Sequence, residues 1–217
     1  MDKHKVAIVI PAFNEQETIY NVVKSVKENG IVIVVNDASK DDTGKIASKA
    51  GAVIVHHDKN KGYDEALNSG FLKASELGCE IVITFDADGQ HDPHIIKEFI
   101  MLINNDCDIV IGIRNKFQRA SEHIFSWVSK YKWGIHDPLC GMKGYSTKVY
   151  KQLGHFSSYS SIGTELCIFS QKYGFKIVQV PIKVHDRIDK SRMGSRLSAN
   201  IKILTALFKS RNINKYI

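Results

Sequence analysis

The chain has 217 residues, of which 43% are hydrophobic and 24% charged, an ordinary composition for a globular protein. Its length suits one large domain or two small ones, and its four scattered cysteines, which form no CxxC pair, argue against a disulfide framework or a zinc site. No run approaches the roughly 18 apolar residues of a membrane-spanning helix, and the first apolar run is too short for a signal peptide. We therefore expect a cytoplasmic protein without a transmembrane segment.

The formal net charge of +7 is concentrated near the C-terminus. Residues 183–217 contain nine Lys or Arg and two Asp, a balance of +7, so residues 1–182 are charge-balanced. An anionic membrane, a nucleic acid or a phosphorylated substrate could each bind such a segment. The balanced main part argues against a nucleic-acid-binding protein, which needs basic or aromatic side chains across a face.

Apolar strands and amphipathic helices alternate along the first 115 residues. Continuous apolar runs predict buried strands, and apolar residues spaced three or four apart predict helices. The alternation predicts an α/β fold with a mostly parallel sheet and helices on both faces. The predicted strands are 6–10, 31–35, 52–55, 81–85 and 108–113, separated by helices at 19–26, 43–50 and 63–77 and one opened by Pro93.

The pattern is less regular after Arg114. Two further strands and three further helices are predicted there. The strands are 142–145 and 176–184, and the helices are 121–132, 164–173 and 197–211.

The C-terminal helix is amphipathic and basic. One stripe carries Leu197, Ile201, Leu204 and Phe208, and Ile203 and Leu207 lie beside it. Such a helix suits peripheral binding to an anionic leaflet on the cytoplasmic face of a membrane. Packing of the stripe onto the core of the domain is an equal alternative.

Polar clusters follow the predicted strands. In parallel sheets ligands bind at the carboxyl ends of the strands, so these clusters should converge on one crevice. Asp86 and Asp88 directly follow the strand 81–85, where two carboxylates can bind one hard cation and leave positions open for phosphate. A solvated turn at Asp88–Gly89 is the alternative.

Four segments stand in order along the chain: IPAFNE at 10–15, VVNDASKDDT at 34–43, NKG at 60–62 and DADGQH at 86–91. Together they resemble a family 2 glycosyltransferase of the GT-A (Rossmann-like) fold, most of all the dolichyl-phosphate mannose synthase branch. The resemblance spans residues 5–192.

The resemblance implies a nucleotide-diphosphate sugar as donor, with GDP-mannose or UDP-glucose expected first. The base and ribose would lie across Pro11, Phe13, Glu15 and Asp37, and Lys61 would reach a phosphate. Each residue also has a structural alternative: core packing for Phe13, a helix-dipole contact for Glu15, a turn cap for Asp37 and a solvated loop for Lys61.

The resemblance also implies a divalent cation, Mg²⁺ or Mn²⁺. Asp88 and Gln90 would bind the ion, and Asp86 would lie close to the ribose or the metal. An all-oxygen site that shares ligands with a diphosphate suits either ion. We do not expect His91 to be a ligand.

Basic and acidic residues further along match the family's phosphate and acceptor segments. Arg114 and the run from Arg187 to Arg192 would contact the diphosphate or an acceptor phosphate, although a solvated basic tail also explains that run. Asp137 and Glu165 match acids of the acceptor segments. One of them would act as general base if the acceptor is a hydroxyl, and both could instead cap loops and helices.

The sequence departs from the family pattern in two motifs. Asn36 and Ala38 replace a common acid and a glycine, and Tyr63–Asp64 fills a stretch that is often rich in glycine. These departures leave the base and the sugar open.

We predict one GT-A domain at 1–192, with a nucleotide-sugar half (1–115) and an acceptor half (116–192), followed by the basic helix at 193–217. The predicted function is inverting, metal-dependent hexosyl transfer to a polyprenyl phosphate. A hydroxyl of a glycan or glycolipid is the alternative acceptor. A nucleotidyltransferase is a distant alternative, because the N-terminal region lacks a phosphate loop rich in glycine and lysine.

Overall fold

A computed structural model of the protein describes residues 5–185 and 196–210, which contain seven strands and eight helices. The strands are β1 (Val6–Ala12), β2 (Ile31–Asn36), β3 (Val53–His56), β4 (Ile81–Thr84), β5 (Ile109–Arg114), β6 (Lys143–Ser146) and β7 (Ile177–Ile182). The helices are α1 (Ile19–Val26), α2 (Thr43–Ala50), α3 (Tyr63–Glu76), α4 (Ile95–Asn104), α5 (Ala120–Trp133), α6 (Thr147–Leu153), α7 (Glu165–Lys172) and α8 (Arg196–Ser210).

The strands form one sheet in the order β3-β2-β1-β4-β6-β5-β7. All neighbouring pairs are parallel except those of β6, which runs antiparallel to β4 and β5. The predicted α/β fold with a mostly parallel sheet is confirmed. The sequence did not predict the direction of β6 or its place in the sheet.

Apolar residues fill both faces of the sheet. Consecutive residues of a strand point to opposite faces, so neighbours in β1 belong to different core layers. In β1, Ile8 and Ile10 pack in one core layer with α1, α2 and α4, whereas Ala7 and Val9 pack in the other with α3, α5, α7 and α8. This two-sided burial explains why the strands are continuous apolar runs rather than alternating ones.

The second half of the chain completes the sheet of the first. Lys143 to Ser146 in β6 lie between β4 and β5, so segments on both sides of residue 115 share one sheet. The division into halves at 1–115 and 116–192 stays a prediction.

Helix α6 was not predicted, since it follows β6 without a separating turn. The helix is capped at its C-terminal end by Gly154, which has a φ of 84°.

Helix α8 packs on the domain, but not through the predicted stripe. Its buried apolar side chains are Ala199, Ile203, Ala206 and Leu207, and the last three belong to the core layer that contains α5. The predicted stripe points outward instead. Within the two described segments, no helix is both long and apolar enough to cross a bilayer.

Candidate active site

A cleft with a volume of about 780 Å³ lies at the carboxyl ends of β1, β2, β4 and β5. Asp137 and Glu165 do not line it, and Arg187 and Arg192 fall outside the described residues. The cleft brings together the other nine predicted site residues: Pro11, Phe13, Glu15, Asp37, Lys61, Asp86, Asp88, Gln90 and Arg114.

The wall at the end of β1 is cross-linked to the loop after β2. The side chain of Asn14, which has a φ of 55°, accepts a hydrogen bond from the Lys40 backbone N–H at 2.8 Å. The backbone N–H of Glu15 donates to Oγ1 of Thr43 at 2.8 Å. These bonds hold Phe13 and Glu15 in place where they line the cleft.

Asp37 organises the neighbouring loop. Its Oδ1 accepts hydrogen bonds from Nδ1 of His57 at 2.7 Å and the Lys61 backbone N–H at 2.8 Å, and its Oδ2 accepts one from the Gly62 backbone N–H at 2.8 Å. Gly62 has a φ of 90°, which favours glycine. The buried carboxylate therefore both shapes the turn that presents Lys61 and forms part of the cleft wall.

The loop after β4 presents two carboxylates and an amide to the cleft. Gly89, with a φ of 74°, turns the backbone so that the Gln90 backbone N–H donates to Oδ1 of Asp88 at 3.1 Å. The Gln90 side-chain nitrogen donates to the carbonyl of His185 at 2.8 Å, which leaves the amide oxygen as the atom for a cation.

The donor set of this loop fits a hard divalent cation that shares its ligands with a diphosphate. Asp86, Asp88 and Gln90 offer oxygen atoms, which Mg²⁺ and Mn²⁺ prefer. Among the described residues, no group of three or more His, Cys, Asp or Glu could hold a metal ion. An ion here would therefore need further oxygens from a bound phosphate.

Asp86 is held as a carboxylate. Burial alone would raise the pKa of Asp86, but the hydrogen bond from Nε2 of His91, at 3.0 Å, and the positive charges of Lys143 and Arg114 hold that pKa below its ordinary value. A Cβ atom at Gly141 would collide with the Asp86 carboxylate, so only glycine permits this approach. His91 is buried and orients Asp86.

Arg114 is fixed by a buried acidic pair. Its Nε and Nη2 donate to the two carboxylate oxygens of Asp137 at 2.8 and 2.9 Å, and its Nη1 lies 3.3 Å from Oε2 of Glu122. Burial would lower the pKa of Arg114, but the hydrogen bonds to Asp137 raise it above its usual value. Arg119 lies 2.9 Å from the same glutamate. The network holds the guanidinium of Arg114 charged in the cleft wall.

Glu165 is enclosed within the protein. Its carboxylate accepts hydrogen bonds from the backbone N–H and hydroxyl of Ser158, at 2.6 and 2.7 Å, and from Nε2 of His155 at 3.0 Å. The side chain has no exposed surface. In this geometry Glu165 stabilises the loop that carries Ser158 to the cleft.

Asp64 is a further candidate site residue that was not predicted, although Tyr63–Asp64 departs from the family pattern. Asp64 lines the cleft and accepts hydrogen bonds from the backbone N–H groups of Ile162 and Gly163, at 3.0 and 2.7 Å. Ile162 has a φ of 55°, an unusual value for a β-branched residue. A carboxylate in the first turn of a helix was the only signal available in the sequence.

The mostly parallel sheet, with a cleft at its strand ends and a two-carboxylate loop, is the architecture of the GT-A class of glycosyltransferases. The chain belongs to Glycosyl transferase family 2, whose family model matches residues 7–159. The predicted family and enzyme class are thereby confirmed.

Two relatives have informative names. The chain is 30% identical to a UDP-N-acetylglucosamine–dolichyl-phosphate N-acetylglucosaminyltransferase of Methanococcus voltae, over 81% of this chain and 84% of that protein. It is 25% identical to a dolichyl-phosphate hexose transferase of Haloferax volcanii, over 86% of each chain.

The fold is also similar to that of a crystal structure. The glucosyl-3-phosphoglycerate synthase of Mycobacterium tuberculosis, in complex with Mn²⁺, UDP and glucosyl-3-phosphoglycerate, matches with a TM-score of 0.78 and 20% identity, covering 95% of this chain and 79% of that one. At this level of identity, the likeness shows a shared fold.

Proposed function

We propose that this glycosyltransferase is metal-dependent and transfers a sugar from a nucleotide-diphosphate donor to a polyprenyl phosphate with inversion at the anomeric carbon. The names of the two relatives support the acceptor class. The observation that carries the proposal is the set of basic side chains in the cleft: besides Lys61, five Lys or Arg residues line it, and neither of the predicted general bases does. The five are Arg114, Lys116, Arg119, Lys202 and Lys209.

A phosphate acceptor explains this lining. An acceptor phosphate is already ionised at neutral pH, so its oxygen can attack without a protein base. A hydroxyl acceptor would need a carboxylate or histidine as general base, and the two acids predicted for that role are engaged elsewhere. Asp137 is bound to Arg114, and Glu165 is enclosed under the Ser158 loop. We therefore propose that Arg114 contacts phosphate and that Asp137 positions Arg114.

On the donor side, we propose that Phe13 and Glu15 contact the nucleoside, that Lys61 contacts the diphosphate, and that Asp86, Asp88 and Gln90 hold Mg²⁺ or Mn²⁺. The fold neighbour is known with Mn²⁺ and UDP, which supports a divalent ion in this cleft. When bound, the cation would neutralise charge on the departing nucleoside diphosphate.

The assignments of Arg187 and Arg192 to the phosphates remain predictions from the family motif. GDP-mannose and UDP-glucose remain the predicted donors. The name of the Methanococcus voltae relative adds UDP-N-acetylglucosamine to the donors that need to be tested.

The proposed acceptor also indicates where in the cell this protein works. A polyprenyl phosphate is embedded in a bilayer by its chain, and nucleotide sugars are water-soluble. We therefore propose that the protein works peripherally at the cytoplasmic face of a membrane.

The proposal can be tested with the purified full chain and a donor panel of GDP-mannose, UDP-glucose and UDP-N-acetylglucosamine, with Mn²⁺ or with EDTA. The acceptor would be a short-chain polyprenyl phosphate in detergent, and the matched control would be the corresponding polyprenyl alcohol. We expect Mn²⁺-dependent transfer to the phosphate alone, with release of nucleoside diphosphate. A donor present at 100 times its Kd should also stabilise the fold by about 2.7 kcal/mol.

Transfer to the alcohol or to a glycan, with none to the phosphate, would overturn the acceptor assignment. Release of pyrophosphate would instead identify a nucleotidyltransferase.

A further inference from the structure

Helix α8 exposes an apolar stripe that nothing in the described structure covers. Leu197, Ile201, Leu204 and Phe208 are 72%, 57%, 42% and 66% exposed, although they are spaced for a buried helix face. The opposite face of the helix already packs on the core. We call this stripe the apolar rim. The helix is already anchored to the core by its other face, so folding does not require the apolar rim to be buried.

The apolar rim borders the cleft. Asn200 faces α5, since its Oδ1 accepts a hydrogen bond of 2.5 Å from the hydroxyl of Ser121, whereas Lys202, Thr205 and Lys209 line the cleft. At 100° per residue around the helix, the apolar rim lies between these two sides. Ile201 belongs to both the rim and the cleft lining.

The neighbouring helix α5 has an exposed apolar stripe of its own. Ile124, Trp127 and Tyr131 recur at three- and four-residue spacing and are 48%, 72% and 86% exposed. Tryptophan and tyrosine are the residues enriched where proteins meet the headgroup layer of a bilayer.

The basic side chains near the apolar rim indicate which kind of partner binds it. Lys202 and Lys209 lie beside the apolar rim, in the part of the chain, 183–217, that carries the whole net charge of +7. An apolar stripe next to basic side chains matches an anionic lipid surface, where both the headgroups and the acyl boundary contribute to binding. A second copy of this chain would carry the same surplus of positive charge, which disfavours its docking here.

We propose that the apolar rim of α8 is the surface by which this protein binds an anionic lipid bilayer, with the open cleft next to the headgroup layer. The choice of a bilayer rests partly on the proposed polyprenyl phosphate acceptor. In this arrangement an acceptor phosphate enters the cleft beside Lys202 and Lys209 while its chain stays in the bilayer.

The test is flotation of the full chain, without any substrate, with vesicles of phosphatidylglycerol and phosphatidylcholine. The test variant is Leu204→Gln/Phe208→Gln, because neither residue lines the cleft or packs in the core. The matched control is Leu72→Gln/Met101→Gln, which removes two apolar side chains, 54% and 55% exposed, from α3 and α4.

We expect the rim variant to lower the vesicle partition constant at least about tenfold, since burial of one such side chain changes a binding constant by a factor of that size. The control variant should bind as the native chain does, and replacing phosphatidylglycerol with phosphatidylcholine should weaken binding of the native chain. Equal binding by the rim variant would overturn the proposal. A dimer of the native chain that the rim substitutions dissociate would also overturn it, in favour of a second copy.

Failure of this inference is distinguishable from failure of the proposed function. The flotation assay involves no catalysis, whereas the acceptor assay uses detergent and no bilayer. In detergent, the rim variant should transfer sugar to a short-chain polyprenyl phosphate at the native rate.

Discussion

Arg114 and Asp137 form a bidentate ion pair in which the arginine lines the cleft and the aspartate is 1% exposed. The backbone N–H of Arg114 also donates to the same carboxylate, at 3.1 Å. Two side-chain bonds and one backbone bond fix the direction of the guanidinium before any ligand binds. This arrangement assigns Asp137 a positioning role.

The first prediction concerns this pair. Asp137→Ala should destabilise the protein by about 3–5 kcal/mol, because it leaves a buried guanidinium without its main partner. Asp137→Asn should lose less stability but should still raise KM for the phosphate acceptor more than it lowers kcat, since Arg114 would lose its orientation. Urea denaturation and steady-state kinetics with varied acceptor measure the two effects.

The matched control for this prediction is Asp106→Asn, which changes an aspartate whose side chain is 92% exposed. A loss of kcat in Asp137→Asn with unchanged acceptor KM, together with a higher pH required for turnover, would contradict the positioning role. That result would identify Asp137 as the general base for a hydroxyl acceptor.

The second prediction concerns the cation. Asp88→Ala should abolish metal-dependent donor binding and reduce turnover at least about a hundredfold, because the ion would lose a carboxylate ligand. Asp92→Ala is the control, since Asp92 is on the same loop but does not line the cleft and accepts a hydrogen bond from the His94 backbone N–H. Isothermal titration of UDP and GDP with and without Mn²⁺ measures the binding. Native Mn²⁺ dependence in Asp88→Ala would remove this residue from the metal site.

Much of the fold could be predicted from the hydrophobic pattern of the sequence. The location of the site could be predicted from the positions at which the strands end. Continuous apolar runs predicted β1 and β4, and the rule that ligands bind at the ends of parallel strands predicted that Glu15, Asp37 and Asp88 would converge. These inferences succeed because they depend on local periodicity and on one topological rule.

Contacts between residues far apart in sequence could not be predicted. No local pattern distinguishes an acid that faces a cleft from one that supports an arginine, as Asp137 does, or a loop, as Glu165 does. Helix α8 has two apolar faces, and periodicity emphasised the one with Leu204. The structure buries the face with Ile203, because its neighbours Ala199 and Ala206 are small enough for close packing.

The third prediction concerns how the stability of the fold depends on pH. Burial raises the pKa of Asp64 above its ordinary value of 3.8, despite the hydrogen bonds from Gly163 and Ile162. The folded protein therefore holds this proton more tightly than the unfolded chain does. The contribution of Asp64 to stability is present at low pH and is lost as the pH rises from the ordinary pKa through the raised one.

The variant Asp64→Asn should consequently reduce the decline in the free energy of unfolding with rising pH over this acidic range. Urea denaturation at a series of pH values measures the difference between the variant and the native chain. The control is Asp42→Asn, which changes a side chain that is 66% exposed. An identical pH dependence in Asp64→Asn and the native chain would contradict the raised pKa.

The last prediction concerns Gly141. A Cβ atom at this position would meet the carboxylate of Asp86, and the backbone cannot readily retreat because its carbonyl accepts a hydrogen bond of 2.6 Å from the hydroxyl of Thr84. Asp86 would have to turn away and would lose its contact with His91. Gly141→Ala should therefore destabilise the fold by about 1–3 kcal/mol and also weaken metal-dependent donor binding.

A suitable control is Gly51→Ala, where no atom lies within 4 Å of the added Cβ but the φ of 104° disfavours alanine. Both variants should lose stability, and only Gly141→Ala should lose donor affinity, because only its Cβ displaces a cleft carboxylate. Thermal denaturation and titration of donor with Mn²⁺ separate the two effects. If Gly141→Ala bound the donor as tightly as Gly51→Ala, the position of Asp86 would not matter for donor binding, and its place in the proposed metal site would be wrong.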